Sequence, residues 1–238
     1  MGAYFIFKEI FMKMLRYFSP LEWGLWLASV LLILISFFTF HSSSLLNLTT
    51  SLLGVTALIF TAKGNPLGPG LMIIFCLLYG LISYRSSYYG ELLTYIGMSL
   101  PMAVLSLISW LRHPYQGRTS EVQIGSLRRA EAPFLVLGTL LVTFLFYFIL
   151  KALHTPHLFP ATVSVATSFV AAYLTFRRSP GYAVAYAAND IVLILLWVLA
   201  ALEDPVYFSV VICFSAFFLN DMYCFFHWQQ LRRQQAGA

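Results

Sequence analysis

Apolar residues recur in eight runs along the chain, at roughly 23–40, 45–62, 67–84, 92–111, 133–153, 158–176, 181–202 and 205–226. Each is close to the ~20 residues that an α-helix needs to cross ~30 Å of hydrocarbon. Their unbroken length excludes the short alternating strands of a transmembrane barrel. The pattern predicts an all-α membrane protein with eight transmembrane helices. Ahead of the first run, residues 1–20 set Phe5, Ile6, Ile10, Phe11 and Leu15 against Lys8, Lys13 and Arg16, as an amphipathic helix at a membrane surface does. No apolar core followed by a small-residue cleavage site is present there, so a cleaved signal peptide is not expected.

The polar breaks suggest an internal repeat. The longest, within 112–132, carries four arginines and two glutamates and reads as a cytoplasmic linker. On either side, three spans follow one another. The second span closes on Thr61-Ala62-Lys63-Gly64-Asn65-Pro66 and the sixth on Thr175-Phe176-Arg177-Arg178-Ser179-Pro180. Each set of three ends on an indole followed by basic residues, Trp110 before Arg112 and Trp228 before Arg232. The expected division is an amphipathic segment 1–20, an extra helix 21–42, a first three-helix bundle 43–112, a linker 113–132, a linker helix 133–156, a second bundle 157–230 and a tail 231–238. One crossing between two three-helix sets leaves both in the same orientation, so the repeats are parallel, related by an axis along the membrane normal.

Composition agrees with the pattern: 60% of the 238 residues are hydrophobic, 10% are charged and the mean hydropathy is +0.82. Soluble domains carry about 25% charged residues. Charge placement adds the orientation. With the N-terminus inside, twelve of the fourteen Lys and Arg fall on the cytoplasmic side and only Arg85 and Lys151 outside. The positive-inside rule then puts both termini in the cytoplasm. Cys76, Cys213 and Cys224 lie within spans, which suits packing rather than a disulfide framework.

The candidate chemistry lies in the last two spans. Asn189-Asp190 is followed seven residues after the aspartate by Trp197, and Asn220-Asp221 at the same interval by Trp228. A carboxylate at mid-membrane costs about 2.5–3.5 kcal/mol on an insertion scale, so it is normally kept for a pathway, a partner or a ligand. Seven residues is close to two helical turns, which sets each aspartate and its tryptophan on one face. Asn220 and Tyr223, three apart, also share a face. Asn189, Asp190, Trp197, Asn220 and Tyr223 are therefore the candidate substrate-binding residues, with bonding between helices as the rival role. Asp221 points about 100° from Asn220 and is expected to face another helix. Trp110 and Trp228, at span ends beside arginines, fit an interfacial belt. Pro156 breaks any helix that would align His154 with His157, so no metal site is expected. No Walker loop, His-Glu-x-x-His or Gly-x-Ser-x-Gly occurs, and neither an enzyme nor a cofactor nor a nucleic-acid partner is indicated.

The blocks Ala62-Lys63-Gly64-Asn65-Pro66, Tyr88-Tyr89-Gly90-Glu91, Ser109-Trp110-Leu111-Arg112, Asn189-Asp190-Ile191-Val192-Leu193 through Trp197, and Asn220-Asp221-Met222-Tyr223 through Trp228 resemble the PnuC family of vitamin transporters, over about 45–230. The resemblance implies a 3-1-3 arrangement of seven core helices, here with one extra N-terminal helix, and a homotrimer in the cell (inner) membrane. It implies import of nicotinamide riboside, a precursor of NAD, by facilitated diffusion. A cytoplasmic kinase acting on the imported substrate would make the process one-way. Asn220 and Tyr223 match the family's Asn-x-x-Tyr signature. Its Trp-x-x-Trp is missing, with Tyr182 and Tyr186 the nearest aromatics. Thiamine or riboflavin is therefore the alternative substrate. A membrane vitamin-binding subunit that needs a separate ATPase is the alternative from another class.

Overall fold

Hydrocarbon offers no water to a backbone N–H or C=O, so each apolar run satisfies its own backbone as a helix. A computed structural model describes residues 17–39, 45–85 and 88–237. The amphipathic segment expected over 1–20 lies almost wholly outside them. Among the described residues, eight helices are long and apolar enough to cross a membrane: α1 Pro20–Thr39, α2 Leu45–Ala62, α3 Leu67–Arg85, α4 Tyr89–Leu111, α5 Arg129–Ala152, α6 Leu158–Phe176, α7 Gly181–Glu203 and α8 Phe208–Ala236. The chain is a multi-pass, all-α membrane protein.

Two helices depart from regularity for local reasons. α1 opens on a capping box: the Ser19 N–H donates to Glu22 Oε2 at 2.6 Å and the Glu22 N–H to Ser19 Oγ at 3.3 Å, with Pro20 in the first turn. α4 contains a π-helical turn, Thr94–Ser99, just before Pro101. A proline has no N–H for the carbonyl four residues back, which loosens the turn ahead of it.

The packing has an approximate two-fold logic. α2, α3 and α4 pack consecutively, as do α6, α7 and α8. Across the interface α8 lies on α2 and α4 lies on α6, so the third helix of each set meets the first of the other. α5 packs on α6 and turns a broad apolar face outward (Phe134, Leu137, Leu141, Phe144), while α1 packs on α2 and α8.

The same relation recurs atom by atom at the basic end. The Trp110 indole N–H donates to the Thr175 carbonyl at 3.0 Å, and the Trp228 indole to the Thr61 carbonyl at 2.9 Å. Each carbonyl also accepts an N–H of its own turn, Arg178 on Thr175 and Gly64 on Thr61, so the indole of the opposite set is its second donor. The two rings are 5.4 Å apart and wholly buried. The belt position expected for these tryptophans is thus corrected, because each reaches inward to a helix end instead of outward to the interface. Gly64 and Arg178, each three residues beyond those threonines, both adopt left-handed backbone, φ +67° and +56°. Glycine does so freely and arginine at a cost.

The linker is folded. Pro114–Tyr115 and Arg118–Val122 form a small antiparallel hairpin through Gln116 and Gly117, both at positive φ. Its exit strand lies across the two equivalent turns, with the Val122 N–H on the Gly64 carbonyl at 2.8 Å and the Gly125 N–H on that of Arg178 at 2.9 Å.

Trp110→Phe and Trp228→Phe each delete one indole N–H bond and leave its carbonyl with the turn N–H alone, that of Arg178 on Thr175 and of Gly64 on Thr61. Each should destabilise the protein by about 0.5–1.5 kcal/mol, the net worth of one hydrogen bond. Thermal melts of the detergent-solubilised variants should show comparable drops in Tm. A drop for one variant alone would contradict the reciprocal arrangement.

Candidate functional site

Where the two bundles meet, the helices leave a narrow central cavity of about 80 Å3, walled by α2, α3, α4, α6, α7 and α8. Its wall is mostly apolar and aromatic, with Tyr95 from the π-helical turn of α4 and Tyr182 and Tyr186 from α7. The polar groups converge from α7 and α8: Asn189, Asp190 and Asp221.

Asn189 is held from behind. Its Oδ1 accepts the hydroxyls of Ser164 at 3.3 Å, Thr167 at 2.8 Å and Ser168 at 3.0 Å, all from α6. Asp190 and Asp221 are 3% and 2% exposed and line the cavity together. Asp190 Oδ2 and Asp221 Oδ1 have no hydrogen-bond partner, nor has the Tyr182 hydroxyl. A buried polar atom left this way is costly unless something else completes it.

Toward the end away from Lys63 and Arg177 lies a second, distal cavity of about 250 Å3. Phe75, Phe214 and Phe217 line both cavities and form the wall between them, with Phe217 5.6 Å from Phe214 and 6.1 Å from Phe75. Phe217 packs so close to α2 that a Cβ on Gly54 would come within 2.5 Å of its Cζ. Trp197 lines this distal cavity and is absent from the central wall. It forms a three-ring cluster with Tyr88 at 5.6 Å and Tyr207 at 5.4 Å. Burial, and then the hydrogen bond to Tyr207, pushes the Tyr88 phenol above its ordinary value, which keeps it a neutral donor.

Asn220 and Tyr223 point elsewhere. The Asn220 amide donates to Ser29 Oγ at 2.9 Å, and the Tyr223 hydroxyl to Glu22 Oε1 at 2.9 Å, both on α1. Glu22 is fully buried at the start of α1, and Lys63 Nζ lies 3.0 Å from its Oε2. His227 stacks on Tyr223 and lies 4.0 Å from Glu22. Of the five candidates, then, Asn189 and Asp190 share one cavity, Trp197 lines another, and Asn220 and Tyr223 line neither. Asp221, expected to face another helix, lines the central cavity instead, and its neighbour Asn220 faces α1. Glu22 went unnoticed, although Ser19-Pro20-Leu21-Glu22 is a readable capping box. His154 and His157 sit in a left-handed turn with His157 3.9 Å from Glu203, and no group of three metal-ligating side chains occurs among the described residues.

Asn220→Ala and Ser29→Ala should each lower the melting temperature, and the double variant little further. The coupling expected of one interhelical hydrogen bond in a membrane is about 0.6–2 kcal/mol. Additive losses would separate Asn220 from α1.

Three comparisons bear on this arrangement. The family model described as nicotinamide mononucleotide transporter matches residues 44–230. The nicotinamide riboside transporter PnuC of Neisseria mucosa is 23% identical over 223 residues, which cover 90% of this chain and 83% of that protein. The crystal structure of the vitamin B3 transporter PnuC superposes with a TM-score of 0.79 at 21% identity, covering 92% of this chain and 94% of that one.

Proposed function

The chain belongs to the PnuC family of membrane transporters, and from that premise we propose that it imports nicotinamide riboside through the central cavity. The observation that carries the reading is the pair of unpartnered carboxyl oxygens, Asp190 Oδ2 and Asp221 Oδ1, in a tyrosine-walled cavity between the two bundles. Nicotinamide riboside is a pyridinium cation carrying a ribose. Carboxyls at this depth offer negative charge to a single positive ring. Aromatic walls attract the same ring by cation–π contact, and ribose hydroxyls supply donors for the free oxygens. Asn189, braced by three hydroxyls, offers its amide to the carboxamide or the sugar. Thiamine is the second reading, since it too carries a cationic ring and the family's Trp-x-x-Trp is missing, with Tyr182 and Tyr186 the nearest aromatics at a different spacing; riboflavin is the third.

Transport proceeds by facilitated diffusion, with the two bundles rocking around the cavity to open it to each side in turn. Without a nucleotide loop the chain does not drive itself with ATP, and a binding subunit served by a separate ATPase would instead lose uptake when that partner is deleted. The basic end faces the cytoplasm, on the charge asymmetry, with both termini there and the chain in the inner membrane as a homotrimer. A cytoplasmic kinase then traps the product. Asn220 and Tyr223 act through α1, as positioning residues rather than contacts.

Asp190→Asn keeps the shape and removes the charge. It should weaken nicotinamide riboside binding by about 1.5–3 kcal/mol, roughly ten- to 150-fold, as expected for a hydrogen bond to a charged group. Calorimetry on the purified variant checks this, and unchanged affinity would move the site out of the central cavity. In liposomes, labelled substrate should equilibrate and not accumulate, with or without a proton gradient. Accumulation driven by the gradient would make the carboxyl pair a proton carrier and reject diffusion.

A further inference from the structure

The distal cavity is unassigned by the function just described, yet it has the features of a second site. One of its sides is the aromatic cluster of Tyr88, Trp197 and Tyr207. Another comes from α1, through Ile33 and Ser36, which precede the matched residues 44–230. Two of its lining residues carry buried polar atoms with no partner, the Trp197 indole N–H and the Ser36 hydroxyl, on side chains 5% and 3% exposed. Such atoms are as costly here as in the central cavity, and a bound oxygen would satisfy the indole directly.

We propose that the distal cavity is a second substrate site, which holds a flat cationic heteroaromatic ring bearing a sugar before it passes the phenylalanine wall. This rests on the transport reading above. The ring lies against the Tyr88, Trp197 and Tyr207 faces, while the indole N–H and the Ser36 hydroxyl take the sugar. Among the described residues no carboxylate lines this cavity, whereas two line the central one. Attraction for a cation therefore increases inward, from aromatic faces alone to aromatic faces plus charge. Among the described residues, Phe75, Phe214 and Phe217 are the only lining side chains the cavities share, so passage needs those rings to turn aside.

The protein carries its own reporter. Cys213 lines the distal cavity, while Cys76 lines the central one and Cys224 neither. In a Cys76→Ala/Cys224→Ala chain, Cys213 is the one remaining thiol, and its labelling rate with a small maleimide is read with and without nicotinamide riboside. The substrate should slow labelling, and should still do so after Asp190→Asn. Trp197→Ala should raise the half-protecting concentration about tenfold, the scale of one lost cation–π contact. Ser36→Ala should raise it less. Protection lost with Asp190→Asn would leave a single, central site and overturn the proposal. So would a Cys213 that labels at the same rate with substrate present, or one that does not label at all. Failure of the unmodified protein to move nicotinamide riboside in liposomes would instead reject the transport reading. With transport intact, absent protection rejects the distal site alone.

Discussion

A polar group buried among hydrocarbon chains has no water to fall back on, and leaving it unpaired costs several kcal/mol. This constraint sorts the side chains of the protein into two kinds. Trp110, Trp228, Asn220, Tyr223 and Glu22 have their partners and hold the helices together. Among the described residues, the unpartnered buried atoms within α1 and α5–α8 gather elsewhere. Asp190, Asp221 and Tyr182 line the central cavity and Ser36 and Trp197 the distal one, with Glu131 and Thr143 on α5 set apart from both. The paired set builds the architecture, and the unpaired set marks where a ligand completes it.

The architecture has a consequence for motion. Each bundle caps the other's helix end through an indole, and the linker strand ties both equivalent turns together. All of these bonds lie at the basic end. Opening there has to break or carry along the two indole bonds and the strand, whereas among the described residues the distal cavity shares with the centre a wall of three phenylalanine rings. In this conformation the basic end is therefore the more strongly closed. Rings in van der Waals contact slide at small cost, while desolvated hydrogen bonds break at a larger one.

Much of the fold was legible in the sequence, because span length and apolar continuity are strong signals. The eighth span was read as ending near 226, whereas α8 runs to Ala236. Hydropathy marks only the part of a helix that sits in lipid, and nothing in Gln229 to Gln235 breaks the helix beyond it. The hairpin in the linker went unread because its strands are polar and short. The aspartates were legible as functional candidates, since carboxylates at that depth are rare. Which face each residue presents was not. Asn220 and Asp221 exchange their expected surroundings because α1 covers the Asn220 face, and periodicity within α8 says nothing of where α1 docks. The tryptophans at the span ends were misread for a related reason. An indole beside arginines suits a lipid interface equally well, and only the neighbouring helix ends decide the matter.

The central claim is that substrate completes the carboxyl pair between the two bundles. A structure of the protein with nicotinamide riboside bound, at a concentration near its dissociation constant, tests it most directly. The account predicts the pyridinium ring among Tyr95, Tyr182 and Tyr186, with a ligand donor about 2.7–3.2 Å from a carboxyl oxygen of Asp190 or Asp221. A ligand seated elsewhere, with both oxygens still unpaired, would contradict it.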